Sequence, residues 1–157
     1  MKRISKPASV HITNLYSKNR LNLTKISRLT QKVSKALRLK QGLSLVFLND
    51  TKMRTVNREY HGVDETTDVL AFESPKHWPH LPGAKGLLGE IVISVDRVIR
   101  YAKEYQVKQG EELMRYVIHG ILHLLGERDH RVKARAKMFI KQEKLLRLFR
   151  SFDGIIR

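Results

Sequence analysis

The sequence predicts an α+β fold: a single domain over residues 1–157 with a small mixed β-sheet packed against several helices. Strand-like and helix-like runs follow one another in the order β-α-β-α-β-β-α-α-α, and two strands are adjacent in the chain. With 157 residues, 41% of them hydrophobic, the chain is long enough for one core of ordinary size. No internal repeat, low-complexity segment or linker divides it.

SVHITNL, 9–15, alternates Val10 and Ile12 with polar residues, the period of a half-buried strand. TKISRLTQKVSKALRL, 24–39, places Ile26, Leu29, Val33 and Leu37 on one helical stripe, with Lys25, Arg28, Lys32 and Lys35 pointing elsewhere. LSLVFLND, 43–50, is an apolar strand whose Asp50 is expected to cap a helix carrying Met53, Val56 and Tyr60. HGVDETTD is a polar loop and VLAFE, 69–73, a strand. SPKHWPHLPGAKG, with three prolines and two glycines, is a loop before the strand LLGEIVIS, 87–94. VDRVIRYAKEY then spaces Val98, Ile99, Ala102 and Tyr105 as a helix does. Gln109 and Gly110 open the next helix, which runs to Leu125, where Gly126 is placed to end it as a left-handed cap. RVKARAKMFIKQEKLLRLF, 131–149, is a terminal helix offering Val132, Met138, Leu145 and Phe149 for packing.

The chain has no cysteine, which excludes a disulfide framework and thiolate-bound metal and leaves His, Asp and Glu as metal ligands. No apolar run approaches the roughly 20 residues that cross a bilayer, and MKRISKPASV lacks the apolar stretch of a secretory signal, so the expected location is the cytoplasm. An acid-free basic start can also mimic a transit peptide, but the strand-like SVHITNL behind it favours a folded N-terminus.

The formal net charge of +16 is segregated. Residues 1–49 hold eleven Lys and Arg and no acid, and residues 131–157 hold nine against Glu143 and Asp153. The centre, 50–130, is nearly balanced, with eleven bases and thirteen acids. Basic flanks around a neutral centre suit a polyanion, here nucleic acid, over the alternatives of merely solvated helix faces or an acidic membrane surface. Lys25, Arg28, Lys32, Lys35, Arg131, Lys133, Lys137 and Lys141 are the candidate backbone contacts. Tyr60, Phe72 and Trp78 are candidate base-stacking residues, with core or loop packing the alternative for each.

VIHGILHLLGERDH, 117–130, carries His119 and His123 one helical turn apart, so both rings leave one face. Core histidines bonded to backbone or carboxylate would show the same spacing. A helix ending at Gly126 can return the chain so that His130 meets the pair, which gives three nitrogen ligands and an open fourth position, the pattern of catalytic zinc. The metal reading is therefore adopted. The zinc-protease pattern HExxH needs a glutamate where this chain has Gly120, which points away from peptides and, with the basic flanks, toward a phosphodiester.

HGILHLLGERDH resembles HGxLHLxGxDH, the signature of the YbeY family. NREYHGVDETTDVLAFE and LLGEIVIS resemble two further family motifs, and the match runs in order from about 44 to 149. The resemblance implies an α+β fold with a small mixed sheet and one zinc ion per chain, held by three histidines at the end of a cleft. It implies a metal-dependent, single-strand-specific endoribonuclease acting in rRNA maturation, with small-subunit rRNA 3′-end processing and ribosome quality control as its tasks. The partners so implied are single-stranded RNA, rRNA and the small ribosomal subunit or its proteins, with no DNA and no membrane.

Two departures bear on the site. The family's third histidine lies ten residues after the first, where this chain has Asp129; His130 follows one residue later. His130 is expected as the third ligand, with Asp129 as the alternative, since zinc accepts a carboxylate at similar bond lengths. His61 stands where the family has an arginine, and Glu90 where it has an aspartate. His61 is the expected catalytic residue, assisting phosphate binding or proton transfer without a guanidinium's two-pronged grip. The segment from Asp64 to Asp68 would line the cleft or hold its own loop by capping. A non-catalytic ribosome-assembly factor with a structural metal, and a metal-dependent hydrolase of another substrate, remain as alternative functions.

Overall fold

The computed structural model describes residues 8–73 and 86–157. Nine elements follow in the expected order: β1 (Val10–Asn14), α1 (Leu23–Ala36), β2 (Gly42–Leu48), α2 (Asp50–His61), β3 (Val69–Glu73), β4 (Leu87–Ser94), α3 (Val95–Glu104), α4 (Gln109–Leu124) and α5 (Val132–Leu146). The four strands form one mixed sheet in the order β1-β2-β4-β3. β1 runs parallel to β2 and β2 parallel to β4, while β3 pairs antiparallel with β4.

The two central strands are covered on both faces, which is why GLSLVFL and LLGEIVIS read as nearly continuous apolar runs. Leu43, Leu45, Phe47, Ile91 and Ile93 face the larger core with α1, α3, α4 and the buried side of α5. The alternate residues Val46, Leu48 and Val92 face the other way, into a smaller cluster closed by Met53 and Val56 of α2 and by Leu70 and Phe72 of β3. Ile26, Leu29 and Val33 of α1 are buried as their spacing predicts, each contributing about 1.5–3 kcal/mol of apolar burial.

Two expectations are corrected at element ends. Asn49, not Asp50, caps α2, its side chain accepting from the Lys52 N–H. Asp50 instead accepts from Ser94 Oγ at 2.6 Å and from Arg100 Nη2 at 2.9 Å, tying the carboxyl ends of β2 and β4 together. In α5 the buried stripe is Met138, Gln142 and Leu146; Val132 is 80% exposed, and Phe149 packs from beyond the helix end. Of the proline-rich loop, residues 74–85, including Trp78, lie outside the described residues.

Two glycines set how closely α4 approaches the sheet. A Cβ at Gly120 would lie 2.6 Å from Ile91 Cγ2, and one at Gly89 would lie 2.4 Å from the Phe72 carbonyl oxygen and 2.6 Å from Leu124 Cδ2. The sheet contact explains Gly120 directly: this side of α4 has no room for a glutamate. Gly120→Ala is expected to destabilise the fold by about 1–3 kcal/mol through overpacking, lowering Tm by roughly 2–12 °C in calorimetry. An unchanged Tm would show that the glycine contact does not seat α4.

Candidate metal centre

With Gly120 against the sheet, the flank of α4 turned toward α5 carries His119 and His123. Their Nε2 atoms lie 2.9 Å apart, and their side chains are 27% and 24% exposed. Asp129 completes the group, its Oδ2 3.8 Å from His119 Nε2 and 3.7 Å from His123 Nε2. Among the described residues, His119, His123 and Asp129 form a set whose ligand atoms all lie within 4.8 Å of one another, and this set could hold a metal ion.

The outer nitrogens of the two rings define their tautomers. His119 Nδ1 lies 2.8 Å from Gln142 Oε1, and the orientation of that amide is consistent with its Nε2 donating to Glu143 Oε1 at 3.3 Å. His123 Nδ1 lies 3.1 Å from the Glu127 carbonyl oxygen. Both partners are acceptors, so in each neutral ring Nδ1 carries the proton and Nε2 the lone pair. With both rings neutral, two lone pairs would face each other at 2.9 Å. Their mutual repulsion is relieved by a cation shared by both nitrogens or by protonation of one ring. Burial lowers the His119 pKa first of all, against the opposing hydrogen bond to Gln142, so protonation there is disfavoured. Gln142 and the Glu127 carbonyl thus do for this pair what outer-shell acceptors do in metal sites, fixing ring orientation and raising ligand basicity.

Asp129 reaches the pair through a defined turn. Gly126, at φ +92°, follows the last turn of α4. Its N–H bonds the His123 carbonyl and the Glu127 N–H bonds the Leu122 carbonyl, both at 3.0 Å, which is a Schellman closure and the cap expected from sequence. The loop beyond is anchored three ways. The Glu127 carboxylate pairs with Lys141, Arg128 Nη2 lies 3.5 Å from Glu73 Oε1, and Arg135 Nε donates to the Asp129 carbonyl at 3.2 Å. His130, next in the chain, is exposed and stands outside the ligand group.

α5 is clamped to α4 behind the histidines. Arg115 donates to Glu143 Oε1 at 2.8 Å, to Glu111 Oε1 at 3.0 Å, and to Glu112. Burial works to raise Glu143, but the hydrogen bonds from Arg115 and Gln142 outweigh it and hold its pKa below the usual carboxylate value. Sequence reasoning passed over Gln142 and Arg115. Gln142 left a signal: it is the polar member of the buried stripe that Met138 and Leu146 define.

The other predicted site residues are dispersed. His61 is the last residue of α2 and stacks on Phe72 of β3, centroids 5.7 Å apart, with Tyr60 on the same ring at 5.4 Å. Asp64 pairs with Arg54 at 2.9 Å and Arg58 at 3.5 Å, and the Glu65 carbonyl accepts from Asn57, so this segment holds its own loop. Asp68 is half-buried; burial raises its pKa, with Arg97 and then His119 opposing. Glu90 lies on the α2 face of the sheet, accepting from Ser44 Oγ at 2.8 Å, and burial raises its pKa. Arg28, Lys32 and Lys35 of α1 and Lys133 and Lys137 of α5 are exposed, as is Arg131 ahead of α5. Lys25 instead donates to the Asp153 carbonyl at 2.6 Å, and Lys141 is engaged by Glu127.

The family model described as Endoribonuclease YbeY matches residues 11–150. The chain is similar to the Endoribonuclease YbeY of Shouchella clausii, 36% identical over 143 residues that cover 85% of this chain and 88% of the relative. It is 34% identical to that of Treponema denticola over 132 residues, covering 82% and 84% of the two chains. The relative from Anaeromyxobacter dehalogenans is 46% identical over 101 residues, 64% of this chain and 50% of that protein. The chain thus spans about half the length of that last relative. The solution structure of TM1509 from Thermotoga maritima superposes with a TM-score of 0.60 at 26% identity, covering 87% of this chain and 86% of that one. Model match, relatives and fold agree, and the chain belongs to the YbeY family.

Proposed function

We propose that this chain is a metal-dependent endoribonuclease whose ion is held by His119, His123 and Asp129. The observation that carries the metal is the convergence of three ligand atoms, His119 Nε2 and His123 Nε2 2.9 Å apart with Asp129 Oδ2 3.8 and 3.7 Å from them, while both outer ring nitrogens face acceptors. Two imidazoles and a carboxylate form a zinc-type donor set of the size that catalytic sites use, which supports zinc, one ion per chain. When bound, zinc would supply Lewis acidity toward a phosphodiester and lower the pKa of a water molecule.

The chain's own residues supply the rest. Gln142 and the Glu127 carbonyl hold the two rings in their metal-ready tautomers, and Asp129 brings a negative charge that favours a cation between them. The exposed bases Arg131, Lys133 and Lys137 lie on or just ahead of α5, which packs on α4, where they can hold an RNA backbone without regard to sequence. Single-stranded RNA is the substrate class proposed. Maturation of the small-subunit rRNA 3′ end, ribosome quality control, the small ribosomal subunit as partner and a cytoplasmic location are the finer parts of this reading. No helix among the described residues is long and apolar enough to cross a membrane. His61, stacked on Phe72, is proposed to contribute only modestly to cleavage.

Incubating the purified protein with single-stranded RNA, with and without chelator, tests the activity. Cutting that the chelator stops and zinc restores is expected, and His123→Ala should lose metal and cutting together. Cutting by a metal-free preparation, or metal retention without any cutting, would overturn the reading; the second result would favour a non-catalytic assembly factor. Calorimetric zinc titration of Asp129→Asn and His130→Ala assigns the third ligand: the first is expected to weaken binding by at least tenfold and the second by less than threefold. The reverse order would return that role to His130. Gln142→Leu, which keeps the volume of a buried side chain, should weaken zinc binding on the order of 10–100-fold with helix content unchanged in circular dichroism. Unaltered affinity would remove Gln142 from the site.

A further inference from the structure

β1 is one edge of the sheet, and among the described residues no strand pairs with its outer side. The Ser9 carbonyl accepts from the Leu43 N–H and the Leu15 N–H donates to the Phe47 carbonyl, both at 2.8 Å, so residues 9 and 15 turn their backbone toward β2. Backbone groups alternate sides along a strand, and the N–H and C=O groups of Val10, Ile12 and Asn14 therefore point out of the open edge. Beside this rim lies a groove of about 600 Å³, lined by Val10 and Ile12 from β1 and by Leu23, Ser27, Arg28 and Gln31 from α1. Its volume is within the range of ligand sites, about 300–1,000 Å³.

We propose that this groove binds an acidic peptide segment in extended conformation, added to the sheet as a fifth strand along β1. An edge strand running beside a helix, with an apolar floor between them, is the arrangement used for recognition by strand addition. Val10 and Ile12, two residues apart on one face, match the side-chain repeat of an incoming strand. The sign of the partner follows from charge. Arg28 lines the groove, and at about 100° per residue Lys32 and Lys35 project within about 40° of it around α1. No acidic residue occurs between residues 1 and 49. A peptide fits the lining better than RNA, because no aromatic side chain among the lining residues offers a base a stacking surface. The groove is separate from the histidine group, and the proposal stands whether or not the chain cuts RNA.

The test is selection of random eight-residue displayed peptides on the full chain, counter-selected against Ser27→Trp, whose indole fills the groove from α1. Arg28→Glu is a second variant that reverses the charge of the rim, and circular dichroism verifies that both variants fold. The expected peptides alternate acidic with β-branched residues. They shift the backbone amides of Val10–Asn14 in nuclear magnetic resonance spectra and lose at least tenfold in affinity to each variant by fluorescence anisotropy. Three results would overturn the proposal: no enrichment over Ser27→Trp, selected peptides that bind both variants as well as the parent, or an oligouridine that shifts the same amides while no acidic peptide competes.

Discussion

The architecture depends on how closely one helix is allowed to approach one strand. Gly120 of α4 lies against Ile91, and the Leu124 side chain lies against Gly89 of β4, so at each point one of the two partners has no side chain and α4 sits close on β4. That contact fixes the rotation of α4 about its axis. With residue 120 facing the sheet, residues 119 and 123 are turned by roughly 100° and 60° to the same side, the side that α5 covers. The position of the histidines is therefore a consequence of core packing on β4. The chemistry of the group begins where that packing ends.

The second constraint acts between helices. α4 and α5 meet through one guanidinium shared by three carboxylates and through Gln142, which joins that cluster to His119. Each part limits the next: Arg115 positions Glu143, Glu143 accepts from Gln142, and Gln142 leaves His119 only one tautomer. Such a network is expensive to bury unless every member is satisfied, and here its polar contacts are made almost entirely within itself. These outer contacts hold the two rings with their Nε2 atoms turned toward each other.

The sequence was most legible where periodicity and caps act locally. All nine elements appear in the expected order, including the end of α4 at Gly126, because each is marked by a spacing or a glycine that needs no tertiary information. Legibility failed where position depends on contacts distant in the chain. Val132 has the character of a core residue, yet the three anchors of the preceding loop set α5 at a rotation that leaves it exposed. Asp50 has the character of a cap, yet it lies where β2 and β4 end side by side and is claimed by Ser94 and Arg100. The choice between Asp129 and His130 was undetermined by spacing alone, because one residue of loop exchanges the side chain turned inward.

Charge placement follows the same division between local and distant causes. A count of bases does not distinguish those that field a partner from those that hold the fold. Lys25 is drawn to the Asp153 carbonyl and Lys141 to Glu127, and both ties secure segments that lack regular structure. The remaining exposed bases of α1 have no acid on their own element to offset them, and at a screening length of about 8 Å their field is felt chiefly along that helix. The positive surface of α1 is thus a local property that borders the open edge of β1, whereas that of α5 is partly consumed in holding the loop that carries Asp129. Basic flanks of similar composition consequently have different physical roles, one facing outward and the other divided between the solvent and the loop that carries Asp129.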